Sequence, residues 1–195
     1  MSRNEQKEQR RQIIIMKALE LFAKRGYSDT KIGDIAKAAD MSVGLMFHYF
    51  ESKEQLYGEL VKMGAEGTNV PQEMDFENPL DFFRTFLDAL FTYAKEQPWV
   101  FYMFVLMSQA RRSEGIPNHI REIALNVNQV EQSAEIIKAG QQYGCFREGD
   151  PYALSFAFWS SVQGLMEQLA VSPEILKNGQ LPETDWIIDI IRGAK

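Results

Sequence analysis

Residues 30–60 read TKIGDIAKAADMSVGLMFHYFESKEQLYGEL, and this stretch predicts two short helices joined by a tight turn. Thr30 and Ser42 are residue types that cap helix N-termini, and an apolar helical pattern follows each of them. Between the two patterns lies the turn ADMS (39–42), in which Asp40 is one of the few non-glycine residue types that tolerate a left-handed backbone. Two helices joined by such a turn are typical of a helix-turn-helix.

Helical periodicity continues on both sides of this stretch. Residues 10–25 repeat apolar side chains at helical spacing, and Gly26 is predicted to end that helix in a left-handed conformation. On the other side, Ser52 and Gln55 form the pattern of a capping box, which predicts a helix over 53–66. The helix-turn-helix is therefore expected to be the end of a three-helix domain.

The rest of the chain is also predicted to be helical. Further helices are expected near 80–96, 98–111, 118–143 and 151–171, with a short one after Pro182 and a loop over 67–79. The predicted fold class is all-α, with about nine helices in total. The domain boundary is placed between residues 52 and 53, so that 1–52 form the helix-turn-helix domain and 53–195 a helical domain joined to it by helix 53–66.

The composition predicts a soluble, cytoplasmic protein. The only cysteine is Cys145, which excludes an intrachain disulfide and a cysteine-based zinc site. The polar start lacks the apolar centre of a signal peptide, and the longest apolar run, 99–107, is about half of a membrane span. No metal, cofactor or membrane partner is expected.

The charge is unevenly distributed along the chain. Residues 1–62 contain 11 Lys and Arg and 9 Asp and Glu, a balance of +2, whereas residues 63–195 contain 10 and 18, a balance of −8. Together these sums recover the whole chain's 21 basic and 27 acidic residues. A mildly basic first third and an acidic remainder suggest two parts with different partners.

The stretch at 30–60 resembles the DNA-binding signature of the tetracycline-repressor-like (TetR) family of regulators. The matching positions are Thr30, Ile35, Ala36, Ala39, Ser42, Gly44, Tyr49, Phe50, Lys53 and Leu56. The departures are Asp40 for the family's usual glycine, Met41 for its valine and Phe47 for its tyrosine. The resemblance implies double-stranded operator DNA as a partner, a small-molecule effector and a homodimer.

By this resemblance, the DNA-binding residues are Thr30, Lys31, Ser42, Val43, Gly44, Leu45, Phe47, His48, Tyr49 and Lys53. Lys31, Ser42 and Lys53 are expected at phosphates, because a cation or a free helix N-terminus suits an anion. Val43 and Leu45 are either core residues or contacts to thymine methyl groups. Phe47 keeps the bulk of tyrosine without its hydroxyl, and His48 either faces DNA or is structural.

A basic arm precedes the first helix pattern, and two interpretations of it stay open. The arm carries Arg3, Lys7, Arg10 and Arg11. It either adds phosphate and minor-groove contacts or is a solvated tail.

The acidic part contains two apolar segments of different character. In residues 80–111, a dense set of aromatic and Met side chains is either plain core or the lining of an apolar ligand pocket. The family resemblance implies a small effector held between these helices, and the pocket candidates it implies are Phe86, Leu90, Trp99, Tyr102, Met103, Met107 and Asn126. The segments 152–171 and 184–191 are apolar nearly all round, which indicates packing against both the protein's own core and a partner. The family resemblance implies that this partner is a second copy in a two-fold dimer. The interface candidates are Phe158, Trp159, Val162, Met166, Trp186 and Ile190.

These observations predict a ligand-responsive transcriptional regulator, a repressor that binds a palindromic operator as a dimer and is released by a largely apolar or aromatic effector. No catalytic residue is assigned, because the sequence contains no nucleophile elbow, phosphate-binding loop or paired-histidine helix. Two alternatives stay open. One is an all-helical interaction protein that uses its helix-turn-helix for protein contacts, and the other is a carboxylate-dependent helical enzyme.

Overall fold

The computed structural model describes residues 2–68 and 78–193, and its regular structure is helical. The helices in these ranges are α1 (Arg3–Asp29), α2 (Ile32–Ala38), α3 (Val43–Met46), α4 (Lys53–Gly67), α5 (Pro79–Glu96), α6 (Trp99–Arg112), α7 (Asn118–Leu125), α8 (Gln129–Gln141), α9 (Pro151–Val171), α10 (Glu174–Lys177) and α11 (Thr184–Ile188). The all-α class is confirmed. Within these ranges, no helix is both long and apolar enough to cross a membrane.

The helix count differs from the prediction at two places. The single helix predicted over 118–143 is broken into α7 and α8 at Asn126 and Asn128, a residue type whose side chain competes with helical backbone bonds. The short helix α10 was not predicted, and most of the loop predicted over 67–79 lies outside the described residues.

Helix α1 begins earlier than the sequence pattern suggested. The Ser2 hydroxyl accepts a hydrogen bond from the Glu5 amide at 3.2 Å, and the Glu5 carboxylate accepts one from the Ser2 amide at 2.7 Å. This capping box starts the helix at Arg3. Near the other end, Gly26 has a φ of 83°, which confirms its predicted left-handed conformation, and the chain resumes helical geometry until Asp29.

The chain divides into two compact units at positions that differ from the predicted boundary. One unit contains Met1–Glu66 and Tyr102–Asn126, and the other contains Gly67–Phe101 and Val127–Lys195. Helix α4 belongs to the first unit because its apolar face, including the fully buried Leu56, packs into that unit's core. The functional division at residues 52 and 53 stays a prediction.

The first unit joins the helix-turn-helix to the second part of α6 and to α7. Its core contains fully buried apolar side chains from α1, α2, α3 and α4, among them Ile14, Phe22, Ile35, Met46 and Leu60. The Gln109 side chain of α6 donates to the Ala23 carbonyl of α1 at 3.0 Å. Ile120 of α7 packs so closely on Gly58 of α4 that an added Cβ there would lie 3.3 Å from it.

The second unit has an aromatic core between α5, α9 and the segment that joins α8 to α9. The Phe83 ring meets the rings of Phe146 and Phe158 edge-on, with centroids 5.7 and 5.0 Å away. The Trp159 indole lies 5.1 Å from the Phe86 ring. Such edge-to-face pairs add directional packing to the burial of apolar area, so they help to set the orientation of α5 against α9 and the segment before it.

Candidate nucleic-acid interface

The turn between α2 and α3 has the geometry of a helix-turn-helix. Asp40 has a φ of 54°, and it is the only non-glycine residue with positive φ in the described ranges. The left-handed backbone predicted at this position is therefore confirmed. The Met41 amide donates to the Ala36 carbonyl at 3.0 Å, which satisfies a carbonyl at the end of α2 and reverses the chain towards α3.

Helix α3 is capped as the sequence predicted. The Ser42 hydroxyl accepts a hydrogen bond from the Leu45 amide at 3.1 Å. The helix proper is short, but helical-type backbone bonds continue beyond it, since the Phe50 amide donates to the Met46 carbonyl at 3.1 Å. Residues 43–50 therefore follow a continuous helical backbone, and this backbone determines the side of the helix on which each side chain lies.

The two sides of this stretch differ sharply in exposure. Met46 is fully buried and Phe50 is 1% exposed, whereas Val43 is 41% and Phe47 49% exposed. His48 and Gly44 are also exposed, and Leu45 and Tyr49 are half-buried. Of the two interpretations of Val43, exposure favours the outward one, and an apolar surface at 43 and 47 is consistent with contacts to another molecule.

Thr30 does not have the predicted position. Its side chain is fully buried, and its hydroxyl donates to the Gly26 carbonyl at 2.7 Å. The residue that caps α2 is Lys31, whose amide donates to the Asp34 carboxylate at 3.4 Å. The prediction that Thr30 caps α2 is therefore wrong. Its side chain is buried and bonded to the carbonyl of Gly26, so it is unsuited to a contact with DNA.

The predicted phosphate-binding lysines differ in their surroundings. Lys31 is exposed at the start of α2. Lys53 is half-buried, and its ammonium donates to the carbonyls of Tyr27 at 2.8 Å and Thr30 at 3.1 Å. The sequence indicated a cation at this position but not its internal partners, because these lie more than twenty residues earlier in the chain.

The basic arm is helical, since it forms the first turns of α1. Arg3, Lys7 and Arg10 are exposed along it. Arg11 is half-buried, forms an ion pair with Glu59 of α4, and lies over the Phe50 ring at 5.2 Å. Three of the four cations are thus exposed at the surface, while Arg11 joins α1 to α4 through its ion pair with Glu59.

The predicted effector-binding residues are distributed over both units. Phe86, Leu90 and Trp99 are half-buried in one, and Tyr102, Met103 and Met107 are half-buried in the other, where Asn126 is exposed after α7. The sulfurs of Met103 and Met107 pack on Gly64 of α4. Two surface concavities, lined by residues 33–43 and by residues 131–152, include none of these candidates. The effector site stays a prediction.

Four of the predicted dimer residues are inside one protomer. Phe158, Val162 and Met166 are fully buried and Trp159 is 8% exposed. Their assignment to an interface is corrected: they lie on the face of α9 that packs into its own unit. Of the other two candidates, Ile190 is half-buried and Trp186 is 63% exposed.

The opposite face of α9 is the exposed one. Tyr152 is 50% and Phe156 57% exposed, and Ser160 and Gly164 follow at the same four-residue spacing. Val171, 78% exposed, lies at the end of the helix. The spacing of these residues was a signal available in the sequence, because aromatic and small residues repeated every four positions lie on one helical face.

Comparison with known proteins finds similarity in the helix-turn-helix segment. Residues 14–60 match the family model described as bacterial regulatory proteins, tetR family. The HTH-type transcriptional repressor Rv3405c of Mycobacterium tuberculosis is 36% identical over 75 residues, which are 38% of this chain and 39% of the relative. The chain is thus matched over less than half the length of this curated relative.

Solved structures are similar over nearly the whole chain. The TetR family transcriptional regulator PfmR from Thermus thermophilus has a TM-score of 0.66 at 23% identity, over 90% of this chain and 97% of that one. AibR, solved in complex with isovaleryl coenzyme A and operator DNA, has a TM-score of 0.64 at 20% identity, over 92% and 94%. At these identities the likeness concerns the fold. The match over residues 14–60 shows that the helix-turn-helix segment is similar to that of bacterial regulatory proteins of the tetR family, and the solved structures show a shared fold.

Proposed function

We propose that the protein is a ligand-responsive, DNA-binding transcriptional regulator of the cytoplasm. In this proposal it is a repressor and not an enzyme, it binds a palindromic operator as a dimer, and a small, largely apolar or aromatic effector releases it. The observation that carries the proposal is the outward face of residues 43–50, where Val43, Phe47 and His48 are exposed. Met46 and Phe50 of the same stretch are buried in the core.

This face is suited to the major groove. A helix reads base edges through side chains near its N-terminus, and apolar groups there can contact the methyl group of thymine. Val43 and Phe47 are such groups, and Phe47 has no hydroxyl for a phosphate. Exposed His48 is the polar side chain of this surface that can donate to a base or a phosphate. Sparse hydrogen bonding predicts that operator shape contributes much of the specificity.

Cations flank this face and supply affinity that does not depend on sequence. Lys31 and Lys37 are exposed at the two ends of α2, and Arg3, Lys7 and Arg10 are exposed along the start of α1. Each phosphate that such a cation neutralises releases a counterion, so binding is expected to weaken steeply with salt.

The dimer is proposed to form through the exposed face of α9. Tyr152, Phe156, Ser160 and Gly164 provide aromatic anchors followed by small residues, which allow a second helix to approach closely. A two-fold axis at this face would bring two copies of α9 together and give the protein two helix-turn-helix motifs. Such pairs read half-sites about one helical turn of DNA apart.

The effector response follows from linkage. An effector that binds the DNA-free conformation more tightly than the DNA-bound one lowers DNA affinity by the ratio of its two affinities. Half-buried Phe86, Leu90, Trp99, Tyr102, Met103 and Met107 are the apolar and aromatic candidates for its contacts, with Asn126 as the polar one. AibR, which has this fold and was solved with both isovaleryl coenzyme A and operator DNA, supports a regulator of this kind.

The test is DNA binding measured by fluorescence anisotropy over a salt series. The expected result is tight binding to a fragment of the DNA upstream of the protein's own coding sequence, and weaker binding to a random-sequence duplex. Phe47→Ala should reduce the difference between the two, whereas Tyr93→Ala, a similarly exposed aromatic on α5, should not. No preference for any upstream fragment would contradict the proposal and favour a protein-interaction role for the helix-turn-helix.

A further inference from the structure

Lys53 connects the two ends of the helix-turn-helix segment. Its ammonium donates to the carbonyl oxygens of Tyr27 at 2.8 Å and Thr30 at 3.1 Å. Tyr27 and Thr30 lie just before α2, and Lys53 is the first residue of α4. The residues between them, 31–52, are α2, the turn and α3, so these bonds close a loop around the part of the chain that faces DNA.

The ammonium occupies a position that α1 itself leaves open. The last turn of a helix carries carbonyls without helical partners and the negative end of the helix dipole, which a cation stabilises. Helix α1 is broken at Gly26, whose φ/ψ is non-helical, so only the short turn up to Asp29 follows the break. The carbonyls of Tyr27 and Thr30 at the end of this turn are the ones to which Lys53 donates from α4.

An aromatic cluster holds the same ammonium from another side. The Lys53 nitrogen lies 4.2 Å from the centroid of the Tyr27 ring, a distance at which a cation is attracted to the face of an aromatic ring. The Tyr27 ring in turn lies 4.8 Å from that of Tyr57, which is fully buried and meets Phe22 edge-on at 4.9 Å. The position of Lys53 is thus set by the core of the unit.

We propose that Lys53 is a clasp, a positioning residue that fixes α2 and α3 by binding the carbonyls at the end of α1, and that it does not act as a phosphate ligand. The proposal rests on the proposed function and deepens it, since what the clasp positions is the DNA-reading face. Without the ammonium, the Tyr27 and Thr30 carbonyls lose a charged donor, and the segment 31–52 gains freedom that DNA binding must then remove.

The clasp and the phosphate contact make different predictions for salt dependence. A phosphate ligand contributes roughly 0.9 to the slope of log affinity against log salt concentration, and its removal lowers the slope by that amount. A clasp contributes nothing to the slope, although its removal lowers affinity at every salt concentration. Amide hydrogen exchange within residues 31–50 also distinguishes a clasp from a phosphate ligand. Exchange in this segment should become faster only if Lys53 acts as a clasp and is removed.

The experiment compares Lys53→Met with Lys31→Met, using a random-sequence duplex at a temperature where each variant is fully folded. Methionine keeps most of the apolar stem and removes the charge. For Lys53→Met we expect about tenfold weaker binding, an unchanged salt slope, faster exchange in α2 and α3, and a lower melting temperature. For the exposed Lys31→Met we expect a slope lower by roughly 0.9 and unchanged exchange. Lys53→Arg, which retains the charge and the donors, should restore most of the exchange protection.

A lower slope with unchanged exchange in Lys53→Met would overturn the clasp and assign Lys53 to a phosphate. Unchanged affinity, slope and exchange would also overturn it, since the side chain would then have no positioning role. If the unmodified protein bound no DNA, the proposed function would fail. Exchange and melting temperature would still decide whether Lys53 holds the segment 31–52.

Discussion

The indole N–H of Trp159 donates a hydrogen bond of 3.0 Å to the hydroxyl of Ser133, inside the contact between α8 and α9. Both residues are buried, and the neighbouring Ser155 hydroxyl donates to the Val130 carbonyl at 2.8 Å. These two bonds pin α9 to α8 in a region otherwise packed with aromatic rings. They also explain why the Trp159 side chain faces its own unit, since outward rotation would leave its donor without this partner.

Ser133→Ala is expected to destabilise the protein by about 1–3 kcal/mol, because it leaves the buried indole N–H of Trp159 without an acceptor. Chemical denaturation of the purified variant measures the change. Ser161→Ala is the matched control: its hydroxyl bonds to the Ala157 carbonyl on the exposed side of α9, so its effect should stay within about 0.5 kcal/mol. Equal effects of the two substitutions would contradict a specific role for the Trp159 bond.

Asp40→Gly is expected to raise stability by about 0.5–1 kcal/mol. Asp40 has a φ of 54°, a conformation that glycine adopts without the steric cost of a Cβ. The control Ala38→Gly, at the exposed and right-handed end of α2, should lower stability by up to about 1 kcal/mol. Thermal unfolding of both variants measures these effects, and a lower melting temperature for Asp40→Gly would show that the aspartate side chain itself stabilises the turn.

Gly140→Ala is expected to destabilise the protein by about 1–3 kcal/mol through overpacking. A Cβ at this buried position would lie 2.4 Å from the Phe146 ring, a rigid group that is 2% exposed and meets the Phe83 ring edge-on. At Gly67, the last residue of α4, an added Cβ would meet no atom of residues 2–68 or 78–193 within 4 Å. Gly67→Ala should therefore be neutral or stabilising in the same denaturation experiment. A neutral Gly140→Ala would mean that the Phe146 ring moves aside readily.

Asp185 is expected to give the protein a stability contribution that is lost in acid. The pKa of its carboxyl is held below its ordinary value of 3.8, chiefly by a hydrogen bond from Arg84 and then by one from Arg192. A depressed folded-state pKa stabilises the folded protein above the ordinary pKa, and the contribution disappears as the pH falls through the lower folded value.

Asp185→Asn should therefore lower stability near neutral pH, and the gap to the unmodified protein should close below about pH 4. Denaturation midpoints over a pH series measure this gap. Glu183→Gln is the control. Glu183 precedes α11 and its side chain makes no capping hydrogen bond, so this variant should show no comparable loss of stability. A gap that persists unchanged in strong acid would exclude the ion pairs as its cause.

Phe156→Glu is expected to convert the proposed dimer into a monomer, because it places a charge at the centre of the exposed α9 face. Sedimentation or light scattering measures the mass. Tyr93→Glu, on the exposed side of α5, should leave the mass unchanged. Since Phe156 is 57% exposed in one protomer, the substitution should leave the monomer folded. A dimeric Phe156→Glu variant would place the interface on another surface.

The sequence alone determined the features that depend on neighbouring residues. The turn at Asp40, the cap at Ser42, the left-handed Gly26 and the inward direction of Met46 and Phe50 all follow from local backbone preferences and from the helical period of about 3.6 residues. These features were sufficient to predict the helix-turn-helix and the all-α class.

The tertiary structure decided which of the apolar side chains are buried, and which distant groups each polar side chain contacts. Helix α9 is apolar on nearly every side, so its sequence predicted burial without indicating that Phe158 and Val162 pack inside the protomer while Phe156 remains exposed. The role of Lys53 likewise depends on carbonyls at Tyr27 and Thr30 that reach it only after α1 and α4 have packed. Such contacts join residues distant in the chain, and local preferences carry no information about them because packing of the whole unit sets their distances.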